Sequence, residues 1–182
     1  MTNVEDKNPK VEDKNPDDKY RGTPLHLAAM EGYLDVCKLI IENVGDKNPA
    51  DHRDGMTPLH DAASNGHLEV CRLIIERVED KNPANNFGRT PLHWAAENGN
   101  LDVCRLIIEK VEVKNPANDN GDTPLHLAAQ NGYSNVCKLI LHSVKQKNPQ
   151  NNDGSTPLNY AAKTRHSGGL ELIQHTANEK KH

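Results

Sequence analysis

Aromatic side chains are almost missing from this 182-residue chain: one Phe, one Trp and four Tyr, 3% in all. That leaves little material for an aromatic-rich core or a stacked cofactor pocket. Positive charge is not in excess either. Lysine and arginine number 22 against 26 acidic residues, for a net charge of −4. Nucleic-acid binding needs a concentrated basic face that displaces counterions from phosphates, so it is not expected. No apolar run approaches the roughly 20 residues of a membrane-spanning helix, so no membrane association is expected. The first ten residues, MTNVEDKNPK, hold no apolar stretch of the secretory kind, and no Asn-x-Ser/Thr acceptor occurs. A cytoplasmic or nuclear location is expected. Phosphate-loop, dinucleotide, nucleophile-elbow and zinc-protease strings are missing too, so catalysis and a bound cofactor are not expected.

What is present is repetition. TPLH recurs at Thr23–His26, Thr57–His60, Thr90–His93 and Thr123–His126, with a degraded copy at Thr156–Asn159. Successive threonines are 34, 33, 33 and 33 residues apart. A fixed period of this size means one small unit stacked on itself, not a globule around one centre. Side chains present in every unit are therefore framework, and only the singletons can hold a private function.

Each unit reads alike. A turn of Asn, Asp and Gly (Asn85–Gly88, Asn118–Gly121, Asn151–Gly154) favours a tight reversal. Thr then serves as N-cap and Pro as first helical residue. A two-turn helix stops at Asn65-Gly66, Asn98-Gly99 or Asn131-Gly132. A second, more apolar helix is predicted over Leu34–Val44, Leu68–Val78, Leu101–Val111 and Ser134–Val144. In the second of these, Leu68, Cys71, Ile74, Ile75 and Val78 fall at helical spacing. The helix must end before Lys-Asn-Pro, because Asn before Pro is pushed out of the helical region.

The turn, TPLH, Ala-Ala, Gly and second helix together resemble ankyrin repeats over almost the whole chain. The departure is the VEDKNP tract, Val78–Pro83 and its relatives, where the family commonly has Gly-Ala-Asp-Val-Asn-Ala. The resemblance implies an all-α, ankyrin-type solenoid of stacked helix-turn-helix repeats with hairpin-like tips. The expected division is a tail of an absent preceding repeat at 1–17, repeats at 18–51, 52–84, 85–117 and 118–150, a degenerate cap at 151–175, and a tail at 176–182. In the cap, Arg165, Ser167, Gly168 and Gly169 stand where the third repeat has Gly99, Leu101, Asp102 and Val103, so its second helix should be short and frayed.

Several rows tempt a chemical reading and are better read as framework. Cys37, Cys71, Cys104 and Cys137 share one position in successive second helices, which stack ~8–10 Å apart, too far for a disulfide. There is no CxxC pair for zinc, so these are expected to be small buried thiols and no metal site is expected. His26, His60, His93 and His126 have the same neighbours in every unit and fit a structural role. Lys47, Lys81, Lys114 and Lys147 read as a solvated edge among acidic neighbours. Asn118–Asp122 fails the spacing of a calcium loop, with Leu127 where a bidentate Glu belongs.

Function is then left to the positions that vary. In ankyrin-like stacks, turn tips and the open side of the first helix line a concave groove, and the resemblance implies partner binding there. The positions are Tyr20, Met30, Arg53, Met56, Asp61, Phe87, Arg89, Trp94, Asn120, Asp122, Gln130 and Tyr160. The lone Phe and lone Trp both fall in the middle repeat, where Trp, Tyr and Arg make good interface anchors. Trp94 is equally compatible with packing between helices, as Leu27 and Leu127 would pack. The expected partner is another protein or peptide with a basic and apolar segment, and the chain itself is expected to be monomeric. Other readings are a recruiting module or fragment of a longer protein, and a designed or orphan scaffold with no evolved partner. A further one is a substrate hydroxylated at the repeat-end Asn48, Asn82, Asn115 and Asn148.

Overall fold

The computed structural model describes residues 22–164. Within them the chain forms α1 (Pro24–Met30), α2 (Leu34–Asn43), α3 (Pro58–Asn65), α4 (Leu68–Ile75), α5 (Pro91–Glu97), α6 (Leu101–Lys110), α7 (Pro124–Gln130), α8 (Ser134–Ser143) and α9 (Pro157–Thr164). The odd-numbered helices stack on one another as an inner row and the even-numbered ones as an outer row, each pair packing internally. This is the all-α solenoid expected from the repeats. No helix among the described residues is long and apolar enough to cross a membrane. The degraded second helix of the cap and Tyr20 lie outside the described residues.

Each of the first four inner helices buries one large apolar side chain completely (Leu25, Leu59, Leu92 or Leu125) and presents a buried Ala-Ala pair. In α9 Leu158 is only half-buried, and Ala161 alone of the pair is buried. Small side chains let neighbouring inner helices approach closely, while the leucine fills the space under them. The outer helices contribute the four thiols, all fully buried and unpaired, together with Ile41, Ile74, Ile107 and Ile140. Burial in apolar surroundings pushes the thiols of Cys71, Cys104 and Cys137 up to about 12, so they remain protonated packing groups.

The TPLH tract starts each inner helix in a specific way. Thr90, in extended conformation, is followed by Pro91 at the first helical position. The imidazole Nδ1 of His93 accepts the Thr90 backbone N–H at 3.0 Å and meets the Thr90 hydroxyl at 3.0 Å. Histidine thus takes the part that Glu or Gln plays in a capping box. Because Nδ1 accepts, the proton sits on Nε2, which donates to the Asp122 carbonyl of the following repeat at 3.1 Å. His26 reaches Met56, His60 reaches Arg89 and His126 reaches Ser155 in the same manner. Asn159 replaces the histidine in the last copy and still accepts from Thr156 N–H, at 2.9 Å. The row of histidines is structural, as the repetition implied.

The KNP tract proves to be a double cap. The Lys47 ammonium donates to the Ile41 and Val44 carbonyls at 2.7 and 2.8 Å, closing the end of α2. Lys81 and Lys114 do the same for α4 and α6, and Lys147 reaches Leu141 at the end of α8. These lysines are half-buried, so the reading of a solvated edge is corrected: carbonyls orphaned at a helix C-terminus attract the ammonium. The neighbouring Asn faces the other way. Asn82 Oδ1 accepts the Leu92 N–H at the start of α5 at 3.0 Å, and Asn48, Asn115 and Asn148 serve α3, α7 and α9 likewise. Pro91 has no N–H to satisfy, so a cap on the next residue completes the helix start.

Two smaller features complete the frame. α4 is shorter than the periodicity predicts, ending at Ile75. Arg77 N–H bonds the Ile74 carbonyl at 2.9 Å, so the last turn tightens into a three-residue pattern. α3 ends on Gly66 with φ 76°, where an added Cβ would lie 2.8 Å from the Asn100 amide oxygen. That left-handed stop is open only to glycine.

Candidate partner-binding groove

The tips between repeats are tied into a row. Asn85 Oδ1 accepts the N–H groups of Phe87 and Arg89 at 3.0 and 2.9 Å, and Asn118 and Asn151 hold their own tips the same way. In the second repeat Asp51 takes this place, accepting from Arg53, Asp54 and Met56. Successive tips then bond through the backbone: Asn86 N–H to Asp54 at 2.9 Å, Asp119 to Phe87 at 3.2 Å, Asn152 to Asn120 at 3.0 Å. Rigid tips beside short inner helices leave a furrow lined mostly by the varying residues, with His26, Asn85 and Asn118 of the repeated frame among them.

Two clefts open there. A central one of about 450 Å³ is lined by Asp54, Met56, Asn85, Phe87, Arg89, Trp94, Asn118, Asp119 and Asn120. A second, of about 370 Å³, is lined by His26, Leu27, Met30, Asp51, Arg53, Asp54, Met56 and Asp61. They share Asp54 and Met56 and so run into each other. Of the residues picked from sequence, Met56, Phe87, Arg89, Trp94 and Asn120 come together in the first cleft. Met30, Arg53, Met56 and Asp61 come together in the second.

The middle repeat supplies the most unusual arrangement. The Arg89 guanidinium lies 3.8 Å from the centre of the Trp94 ring and is ion-paired to Glu97. Trp94 is therefore neither a free anchor nor a simple packing residue: it is the floor beneath a stacked arginine. Arg89 Nε and Trp94 Nε1 are buried with no hydrogen-bond partner. Phe87 stands exposed at the tip.

Asp61 is the odd member of its row, since the equivalent inner-helix positions hold Leu27, Trp94, Leu127 and Tyr160. Burial, with the negative charge of Asp51 added, raises its carboxyl to about 7. Asp51 was not anticipated, though the signal was visible: an acid stands where Asn85, Asn118 and Asn151 stand in later tips. The remaining picks fall elsewhere. Asp122 accepts from the Tyr160 hydroxyl at 2.9 Å and from Asn151 Nδ2 at 2.8 Å, so these three side chains are committed to each other. Gln130 is exposed at the end of α7 and lines neither cleft. No group of His, Cys, Asp and Glu able to hold a metal ion occurs among the described residues.

Comparison with known families gives one match: a model described as Ankyrin repeats (3 copies) fits residues 4–85, 25–116, 77–151 and 111–181. Comparison with the curated proteins finds no match.

Proposed function

The chain belongs to the ankyrin-repeat family, whose members are generally protein-interaction modules, and we propose that it is a non-catalytic scaffold binding a protein or peptide in the concave groove formed by the two joined clefts. One observation supports this most directly. The residues common to all repeats have their polar atoms bonded to one another, whereas the singletons line a continuous furrow. A cytoplasmic or nuclear setting suits such a role.

The lining also suggests the partner. Leu27, Met30, Met56, Phe87 and Trp94 offer an apolar floor. Asp51, Asp54, Asp61 and Asp119 outnumber the cations of the furrow, and Arg53 and Arg89 are already paired with Asp54 and Glu97. A carboxylate whose charge is disfavoured by burial gains from an arriving cation. The partner is a segment with a Lys or Arg beside an apolar side chain, its cation over Asp61 and its apolar group between Met56 and Phe87.

Affinity purification from native lysate, followed by titration of the recovered partner, tests this. Phe87→Ala and Asp61→Asn should each weaken binding about tenfold or more. Unchanged affinity in both variants would remove the groove from consideration.

A further inference from the structure

We infer that the outer row of helices carries a second binding site, between α6 and α8, for an acidic segment of another protein. A cleft of about 370 Å³ opens there, lined by Leu101, Arg105, Asn135, Lys138, Leu139 and His142. It is built from outer helices alone and shares no residue with the groove. The leucines are half-buried and form its floor, while Arg105, Lys138 and His142 are exposed. His142 donates from Nδ1 to the Lys138 carbonyl at 2.7 Å, which fixes the ring beside Lys138 and leaves Nε2 for a ligand.

The other outer junctions supply the comparison. A cation stands at the Arg105 and Lys138 position of every outer helix: Lys38, Arg72, Arg105 and Lys138. Where the α6/α8 junction has Asn135 and His142, the α2/α4 junction has Glu69 and Glu76, and the α4/α6 junction has Asp102 and Glu109. Two cations therefore meet two acids at each earlier junction and none at this one. The acid one turn before the cation matters most. Lys38 lies 3.4 Å from Asp35 and Arg72 lies 3.5 Å from Glu69. Asn135 fills that place before Lys138, and neither Arg105 nor Lys138 has an ion pair among the described residues.

Charge complementarity identifies the occupant. Two unpaired cations over a floor of two leucines fit carboxylates that flank an apolar side chain. Residues 134–149 contain no Asp or Glu, against three, four and three in 34–49, 68–83 and 101–116, so an arriving acid meets no repulsion along α8. A nucleic acid fits less well, because phosphates gain nothing from the leucines and the chain is negative overall. The groove offers acids to a cation, and this cleft offers cations to an acid.

Fluorescence anisotropy of a labelled peptide of glutamate and leucine, titrated with the full chain, tests the inference. Salt at about 0.1 M keeps screening within about 10 Å, so only local charge counts. The parent should bind this peptide and should not bind the same peptide with glutamine for glutamate. Asn135→Asp combined with His142→Glu returns the junction to the pattern of the others. It should weaken binding at least about tenfold with an unchanged melting curve. Arg72→Glu, at the same position of α4, and Phe87→Ala, in the groove, should bind as the parent does. No binding by the parent, binding undiminished by the double substitution, or an equal loss with Arg72→Glu or Phe87→Ala would each overturn it. Tighter binding of a single-stranded oligonucleotide than of the peptide would overturn it too.

Discussion

The junctions between repeats and the groove that crosses them are made from the same helices under opposite rules. At a junction the recurring polar side chains are bonded and each repeat repeats the bond: histidine to the next turn, asparagine to the next helix start, lysine to the last helix end. In the groove, Arg89 Nε and Trp94 Nε1 are buried without partners, and Asp61 lies in a desolvated place beside another acid. Stability in a linear array is a sum over neighbour contacts, so the junction is uniform. Recognition needs difference, so the groove tolerates groups the junction does not.

The largest effect expected from breaking the junction is at histidine. His93→Ala leaves the Thr90 N–H and the Asp122 carbonyl without their partner and opens a void between repeats. About 3–4 kcal/mol of folding stability should be lost, read by urea unfolding followed by circular dichroism. A loss below about 1 kcal/mol would mean that the histidine row is packing alone.

Acidity sets the two regions against each other. Burial lowers His60 and His93 to about 4 from an ordinary 6.5. Between those values the unfolded chain takes up a proton and the folded one does not. Their contribution is complete above pH 6.5 and falls as pH drops toward 4, by about 2 kcal/mol for each histidine at pH 5. Asp61 runs the other way, because its carboxyl is raised to about 7 from 3.8. Over the same range the folded chain takes up a proton there first, which offsets part of the histidine loss. Asp61→Asn should therefore raise stability at pH 7 by about 4 kcal/mol, and because about 2 kcal/mol of that gain is lost by pH 5, it should steepen the decline toward pH 5. Denaturation midpoints at pH 7 and pH 5 for parent and variant measure both; parallel pH curves would refute the assignment.

A milder test of the junction is the double cap. Asn82→Ala should cost about 1–2 kcal/mol, the size of a lost N-cap. Lys81→Met should cost about 1 kcal/mol through the carbonyls at the end of α4. If the two effects add across one linker, the caps act separately on the two helices they close.

These expectations also mark what a reader of the sequence has access to. The helices, the order of stacking and the buried thiols follow from period and spacing, because apolar spacing and Thr-Pro starts are local signals. The lysine row was misread for a physical reason. Its charge points to solvent on paper, and only the folded chain brings Ile108 and Val111 carbonyls to Lys114. The groove was partly legible. Met56, Phe87, Arg89 and Trp94 were visible as singletons, but the stacking of Arg89 on Trp94 and the repulsion that Asp51 exerts on the buried Asp61 depend on proximity that no spacing rule contains. Asp122 and Tyr160 were singletons too, and they turn out to bond each other.

The smallest expected stability effect falls on Phe87, and it sharpens the contrast most. The ring is exposed on a tip whose backbone is held by Asn85, so Phe87→Ala should change stability by less than about 0.5 kcal/mol. Trp94→Ala, which takes the floor from under Arg89, should cost about 1 kcal/mol. If the groove is a recognition surface, the two substitutions weaken partner binding to a similar degree while differing in stability. A Phe87→Ala chain that loses stability as His93→Ala does would place the tip in the frame instead, and the division between uniform junction and variable groove would no longer hold.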